Sequence, residues 1–420
     1  MYNTTKILKG DTSLRGDKSV SHRFLMIASL ISGSSSFQNI PLSKDILATI
    51  SCLEKCNIDI NIDGDIVVVH GGTLKDPNLI LDCKNSGSTV RMLIGLLFGQ
   101  LISAKFTGDS SLMKRPMNRI IEPLESMGAS FISNNGKLPI EMKSEFIKSF
   151  DFIKKTKSAQ VKTSLIFAGL GHENLSSIAY NKHTRDHTEK ILDDLGFDID
   201  IGNVIKVRKS DASNQINVSV PGDLSSAAFI VAAAIIIPGS DITIRNVLYN
   251  KNRLTFIYTL IKMGADITIS NITDQEYGVQ SCDITAIYSK DLTGVSIYND
   301  KAIAMIDEMP VFCIVACFAK GCTEIKNAEE LRFKESDRIR GIYKNLYNMK
   351  ADIIEKEDGL IINGQKKLHN TTINPFNDHR IAMAFEIVKL SIGESMTYSF
   401  SDIIDVSFPG FYKNMDDLML

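Results

Sequence analysis

The chain has 420 residues, 44% of them hydrophobic, and 47 basic against 49 acidic side chains give a net charge of −2. That length provides for two or three domains with sizeable cores, and the near-neutral balance excludes a strong basic field of the nucleic-acid-binding kind. The longest apolar run, Ala227 to Ile237, is too short to span a bilayer, and seven cysteines without a C-x-x-C pair indicate buried thiols in a reducing, cytoplasmic setting.

The first predicted element is an apolar helix, Phe24 to Ile31, that stops at Gly33. A short strand at 36–40 follows, and Ile46, Ile50 and Leu53 then recur at helical spacing. Ile58 to Ile62, Asp63-Gly64 and Ile66 to Val69 read as a hairpin, because Asp-Gly between alternating apolar residues favours a tight turn.

This order of helix, strand, helix and hairpin returns along the chain. It restarts near Thr89 (RMLIGLLFG), Gln160 (VKTSLIFAGLG), Ser226 (AAFIVAAAIIIPG), Met309 (PVFCIVACFAKG) and His379 (RIAMAFEIVKLS), where the C-terminus cuts it short. Six α/β units are therefore predicted, three per half. The crossover is placed at Val220-Pro221-Gly222-Asp223 and a ligand cleft is expected between two lobes.

Polar residues suited to chemistry collect where the repeated helices begin. Gly16-Asp17-Lys18-Ser19-Val20-Ser21-His22-Arg23 combines backbone N–H groups at a helix start with two cations, a combination that favours phosphate or carboxylate. A capped helix with solvated charges would look the same. Asn85 to Arg91 and Lys114-Arg115-Pro116 are weaker versions, with Pro116 suited to a first helical position. The third cluster is Lys157 to Ser164 with His183 to Lys190. His183 and His187 are four apart, yet a third metal ligand at a convincing spacing is missing, and Thr184 or Asp186 reads better as a helix cap. Asp307-Glu308, Glu329 to Arg338 and Asn377 to Arg380 complete the set. Several cations with two carboxylates suit anionic substrates and proton transfer.

In order, GDKSVSHR, NSGSTVR, KRPM, SAQVKTS, RDHTE, PGDLSSAAF, DEMP, LRFKESDRI and NDHRIAMA resemble the motifs of the 5-enolpyruvylshikimate-3-phosphate synthase family, over about Lys6 to Pro409. The resemblance implies a two-lobed inside-out α/β fold, with one lobe at 15–224 and the other formed by 1–14 plus 225–420. It implies transfer of the enolpyruvyl group of phosphoenolpyruvate to the 5-hydroxyl of shikimate 3-phosphate, with release of phosphate, on the route to chorismate and the aromatic amino acids. It implies no cofactor, no metal, no nucleic-acid or membrane partner, and a monomer.

Carried over by motif, Lys18, Ser19, Arg23, Ser158, Ala159, Gln160, Arg185, Asp307 and Lys334 resemble the shikimate 3-phosphate contacts. Lys18, Gly87, Arg115, Gln160, Arg338 and Arg380 resemble the phosphoenolpyruvate contacts. Asp307 resembles the acceptor of the hydroxyl proton, Glu335 the acid/base at the methylene carbon, and Lys18 a residue touching both substrates.

Val406 stands where many members have lysine, Met92 where one branch has proline, and Glu330 where that branch has asparagine. These departures place the chain nearer the class II branch and argue for weaker inhibition by glyphosate, although Gly87 leaves room for it. The related UDP-N-acetylglucosamine enolpyruvyltransferases carry a reactive cysteine that is missing from Gly108 to Pro116. A non-catalytic sugar-phosphate sensor would not need both Asp307 and Glu335.

Overall fold

The computed structural model describes residues 6–156, 158–212 and 214–420; Lys157 of the third cluster lies outside them. The chain divides into two compact units. One holds Arg15–Val220 with the short segment Gln275–Val279, and the other holds the N-terminal segment up to Leu14, Pro221–Asp274 and Gln280–Leu420. The boundary drawn from sequence lay at 224; the compact unit ends at Val220.

The six repeated helices are Lys18–Leu30, Gly87–Gly99, Ala159–Gly169, Leu224–Ile236, Met309–Phe318 and His379–Ser391. Five start at a side chain that accepts a bond from the first turn: Asp17 from Val20 N, Ser86 from Thr89 N, Ser158 from Val161 N, Asp223 from Ser226 N and Asp378 from Arg380 N. The same short polar residues that looked like anion sites thus define where the helices begin. Every residue of Leu224–Ile236 is buried, so these helices form the interior of each unit and the sheets lie outside them. The Gly87–Gly99 and Ala159–Gly169 helices approach so closely that a Cβ on Gly95 would lie 2.1 Å from the Ser164 carbonyl oxygen.

Among the described residues, five four-stranded sheets cover the helices. Each follows one plan. Around Gly87–Gly99, for example, Leu81–Asp82 runs parallel to Ala104–Thr107, and the Ser130–Ser133/Ile140–Lys143 hairpin continues the sheet antiparallel. The strand ahead of the helix was absent from the sequence-derived unit. In two sheets it comes from far away: Asn217–Ser219 lies parallel to Gly33–Gln38, with Val218 opposite Phe37, and Lys9–Ser13 lies parallel to Asp241–Tyr249, with Thr12 opposite Ile244. The sixth unit has helices Ser401–Ile404 and Phe411–Leu418 after His379–Ser391; the last of them packs against Lys9–Ser13.

Two details differ from expectation. Pro116 does not open a helix: Leu112–Lys114 is a single 3-10 turn and the next helix begins at Asn118. Cys322 is exposed, while the other six cysteines are buried. Among the described residues no helix is long and apolar enough to cross a membrane.

Candidate active site

In the Arg15–Val220 unit, the predicted cations are held by hydroxyls and amides. Arg23, almost fully buried, donates from Nε to Thr188 Oγ1 at 2.7 Å, from Nη2 to Thr163 Oγ1 at 3.1 Å and from Nη1 to the Ser19 carbonyl at 2.8 Å. Arg185 Nη1 donates to Ser19 Oγ at 2.7 Å. Two guanidinium groups therefore meet on Ser19, beside the capped start of the Lys18–Leu30 helix, where backbone N–H groups and helix dipole also favour an anion. Lys18 Nζ pairs with Asp45 Oδ2 at 2.9 Å. Asp45 lies within the next helix, Lys44–Lys55, and no local pattern marked it.

A second group surrounds Gly87. Arg91 Nη1 donates to Gln160 Oε1 at 2.9 Å, and Gln160 Nε2 donates to Ser88 Oγ at 2.9 Å. Arg115 Nη2 donates to Asn85 Oδ1 at 2.6 Å. A Cβ on Gly87 would lie 2.7 Å from Arg91 Nη1 and 3.2 Å from Arg115 Nη1, so glycine makes room for two guanidinium groups. Beneath them runs a buried chain from His22 Nδ1 to Thr49 Oγ1 (2.8 Å), Thr89 Oγ1 (2.7 Å) and Ser86 Oγ (2.7 Å). Burial, with Lys18 and Arg23 nearby, outweighs Asp17 and holds the His22 pKa well below its ordinary value. His22 is thus a neutral spacer in a cationic cluster.

The other unit carries the carboxylates. Arg338 is fully enclosed and faces three of them: Asp378 Oδ2 at 2.9 Å from Nε, Glu335 Oε2 at 2.6 Å from Nη2 and Asp307 Oδ1 at 3.5 Å from Nη1. Asp307 and Glu335 are 18% and 24% exposed, whereas Asp378 is sealed. The first two can meet a substrate; the third anchors the arginine. Arg380 Nη1 donates to the Asp307 carbonyl at 3.0 Å, with Nη2 3.9 Å from Asp307 Oδ2.

Asp307 and Glu308 are separated sharply. Glu308 is buried, accepting from Ser225 Oγ at 2.5 Å, and Ser225 in turn accepts from Arg253 Nη2 at 2.8 Å. Burial lowers the Lys334 pKa, against the pull of Asp307, while Arg338 adds to the lowering. Arg338 itself is held above its ordinary value in spite of burial, by Asp378 and Glu335.

Among the described residues no group of three or more His, Cys, Asp or Glu is arranged to hold an ion. Asp186 is the residue ahead of the His187–Asp194 helix, but its carboxylate pairs with Lys190 at 2.9 Å instead of capping backbone N–H groups. Asp45 falls outside every cluster marked by the sequence, whereas Asn85, Thr163, Thr188 and Asp378 fall inside those clusters with no individual role assigned to them.

The family model for EPSP synthase (3-phosphoshikimate 1-carboxyvinyltransferase) matches residues 2–415. A protein of Thermodesulfovibrio yellowstonii named 3-phosphoshikimate 1-carboxyvinyltransferase is 40% identical over 98% of both chains. One of the same name from Persephonella marina is 38% identical over 98% of this chain and 97% of its own. A solved structure of EPSP synthase from Acinetobacter baumannii superposes with a TM-score of 0.85 at 34% identity, covering all of this chain and 97% of that one.

Proposed function

Because the chain belongs to the EPSP synthase (3-phosphoshikimate 1-carboxyvinyltransferase) family, we propose that its two residue clusters divide the work of enolpyruvyl transfer to shikimate 3-phosphate. Lys18, Ser19, Arg23, Ser158, Ala159, Gln160 and Arg185 bind the phosphate and ring of shikimate 3-phosphate. Gly87, Arg115, Gln160, Arg338 and Arg380 receive phosphoenolpyruvate, whose carboxylate and phosphate suit the planar fork of arginine. Lys18 serves both substrates and Lys334 lies on the shikimate side.

Glu335 protonates the methylene carbon of phosphoenolpyruvate, leaving positive charge on the neighbouring carbon that bears the phosphate. The 5-hydroxyl attacks there while Asp307 accepts its proton, giving a tetrahedral intermediate. The carbon–oxygen bond to phosphate then breaks, phosphate leaves, and Glu335 takes a proton from the new methyl group to restore the double bond. The observation that carries this reading is Arg338. One buried guanidinium holds both partly exposed carboxyl groups, 2.6 Å from Glu335 and 3.5 Å from Asp307, and so orients two proton-transfer groups beside a cation suited to an anionic donor.

The test is phosphate release with both substrates present. Asp307→Asn and Glu335→Gln are each expected to lower kcat by about 10²–10⁴-fold while KM moves little, because each removes a proton-transfer group. Near-normal turnover in either variant would remove that residue from its role.

A further inference from the structure

The Ala159–Gly169 and His187–Asp194 helices meet through two adjacent layers. In one, the Thr163 and Thr188 hydroxyls lie 2.6 Å apart, and each accepts a hydrogen bond from Arg23. One residue along each helix lies the other layer: Lys162 Nζ donates to Glu189 Oε1 at 2.5 Å, with the side chains 0% and 1% exposed. The Tyr180 ring centroid stands 4.8 Å from the same ammonium. Glu189 Oε2 has no hydrogen-bond partner among the described residues.

A sealed ion pair is a poor source of net stability. Removing two charges from water is expensive, and apolar side chains of similar volume often do as well or better. An unshared carboxylate oxygen makes the balance worse. What such a pair does supply is register, because any slide or rotation of one helix against the other separates the charges in a medium of low polarity. Here the register matters, since Thr163 and Thr188 grip Arg23 only when the two helices are aligned, and the same helix starts present Ala159, Gln160 and Arg185.

We propose that Lys162 and Glu189 are positioning residues for shikimate 3-phosphate. Their ion pair fixes the two helices so that the paired threonines hold the Arg23 guanidinium in one plane for the substrate phosphate. The inference rests on the assignment of Arg23 as a phosphate contact.

The decisive variant is Lys162→Met/Glu189→Leu, which removes both charges and keeps the volume. It is expected to melt within a few degrees of the parent protein. KM for shikimate 3-phosphate should rise roughly tenfold or more, as for a lost charge-assisted contact, with kcat and KM for phosphoenolpyruvate little changed. Glu189→Asp, which keeps the charge but shortens its reach, should give a smaller rise in the same constant and covers the case in which the double variant does not fold. Arg23→Gln is the companion control. A raised KM in Arg23→Gln with parental values in the Lys162 and Glu189 variants overturns the inference alone. Parental KM in all the variants removes the Arg23 assignment beneath it. A lowered melting temperature with equal losses in kcat and both KM values marks a purely structural pair and also overturns the proposal.

Discussion

Asp378 accepts the Arg338 Nε–H at 2.9 Å with neither side chain more than 1% exposed, and the same carboxylate caps the His379–Ser391 helix by accepting from Arg380 N at 2.9 Å. One buried acid thereby sets the position of two arginines assigned to phosphoenolpyruvate.

Asp378→Asn is expected to destabilise the protein by about 3–5 kcal/mol, because it withdraws a full charge from an enclosed guanidinium. Burial alone would raise the Asp378 pKa; Arg338 outweighs it and holds the carboxyl below the ordinary range. Its contribution is therefore complete above about pH 4 and lost as pH falls through the lower folded value. Urea unfolding at pH 7 and at pH 3 to 4 checks both statements: the gap between parent and variant should narrow in acid. A variant as stable as the parent at pH 7 contradicts the anchoring role.

His22 supplies a second, separable pH effect. Its pKa is depressed in the folded protein, so the unfolded chain binds a proton that the folded one rejects. That contribution is full above the unfolded value of about 6.5 and is lost as pH falls below it, by at most about 1.4 kcal/mol per pH unit. Unfolding free energies of the parent and His22→Asn between pH 7.5 and 5.0 should show a steeper acid-side loss in the parent. Parallel curves would place a charged, solvated histidine there instead.

Gly87→Ala separates helix stability from binding. The added Cβ falls 2.7 Å from Arg91 Nη1, and displacing that side chain breaks its bond to Gln160. Unfolding free energy should stay level or rise by up to about 1 kcal/mol, since alanine is the better helix former. KM for phosphoenolpyruvate should rise about tenfold, as for one lost charged hydrogen bond. An unchanged KM would show that the arginine tip moves aside without consequence.

Val406 lies in the turn after Ser401–Ile404, at the position where the resemblance places a lysine in many relatives. Glyphosate should therefore inhibit this enzyme weakly. Val406→Lys should tighten competitive inhibition against phosphoenolpyruvate by about 10- to 100-fold, the equivalent of one charged hydrogen bond of about 1.5–3 kcal/mol. The inhibition constants of parent and variant decide it, and tight inhibition of the parent would refute the claim.

Sequence alone determined the periodic part of this protein. Apolar spacing and the Asp or Ser ahead of each repeated helix are local signals, because a cap bonds to a residue two or three positions away. The order of nine motifs carried the family, and with it the residues assigned to chemistry. Tertiary structure decided the rest. Nothing near Lys9–Ser13 announces a partner more than two hundred residues away at Asp241–Tyr249, since a strand exposes the same backbone groups to any neighbour. Nor do Asp307 and Glu308 differ in local pattern. Their roles separate because packing places Ser225 and Arg253 around one carboxylate and leaves the other, beside Arg338, partly exposed. Thr163, Thr188, Lys162 and Glu189 all fall in the third cluster, yet their pairing is illegible there for the same reason: each acts through a side chain on another helix, and only the folded chain brings those helices into register.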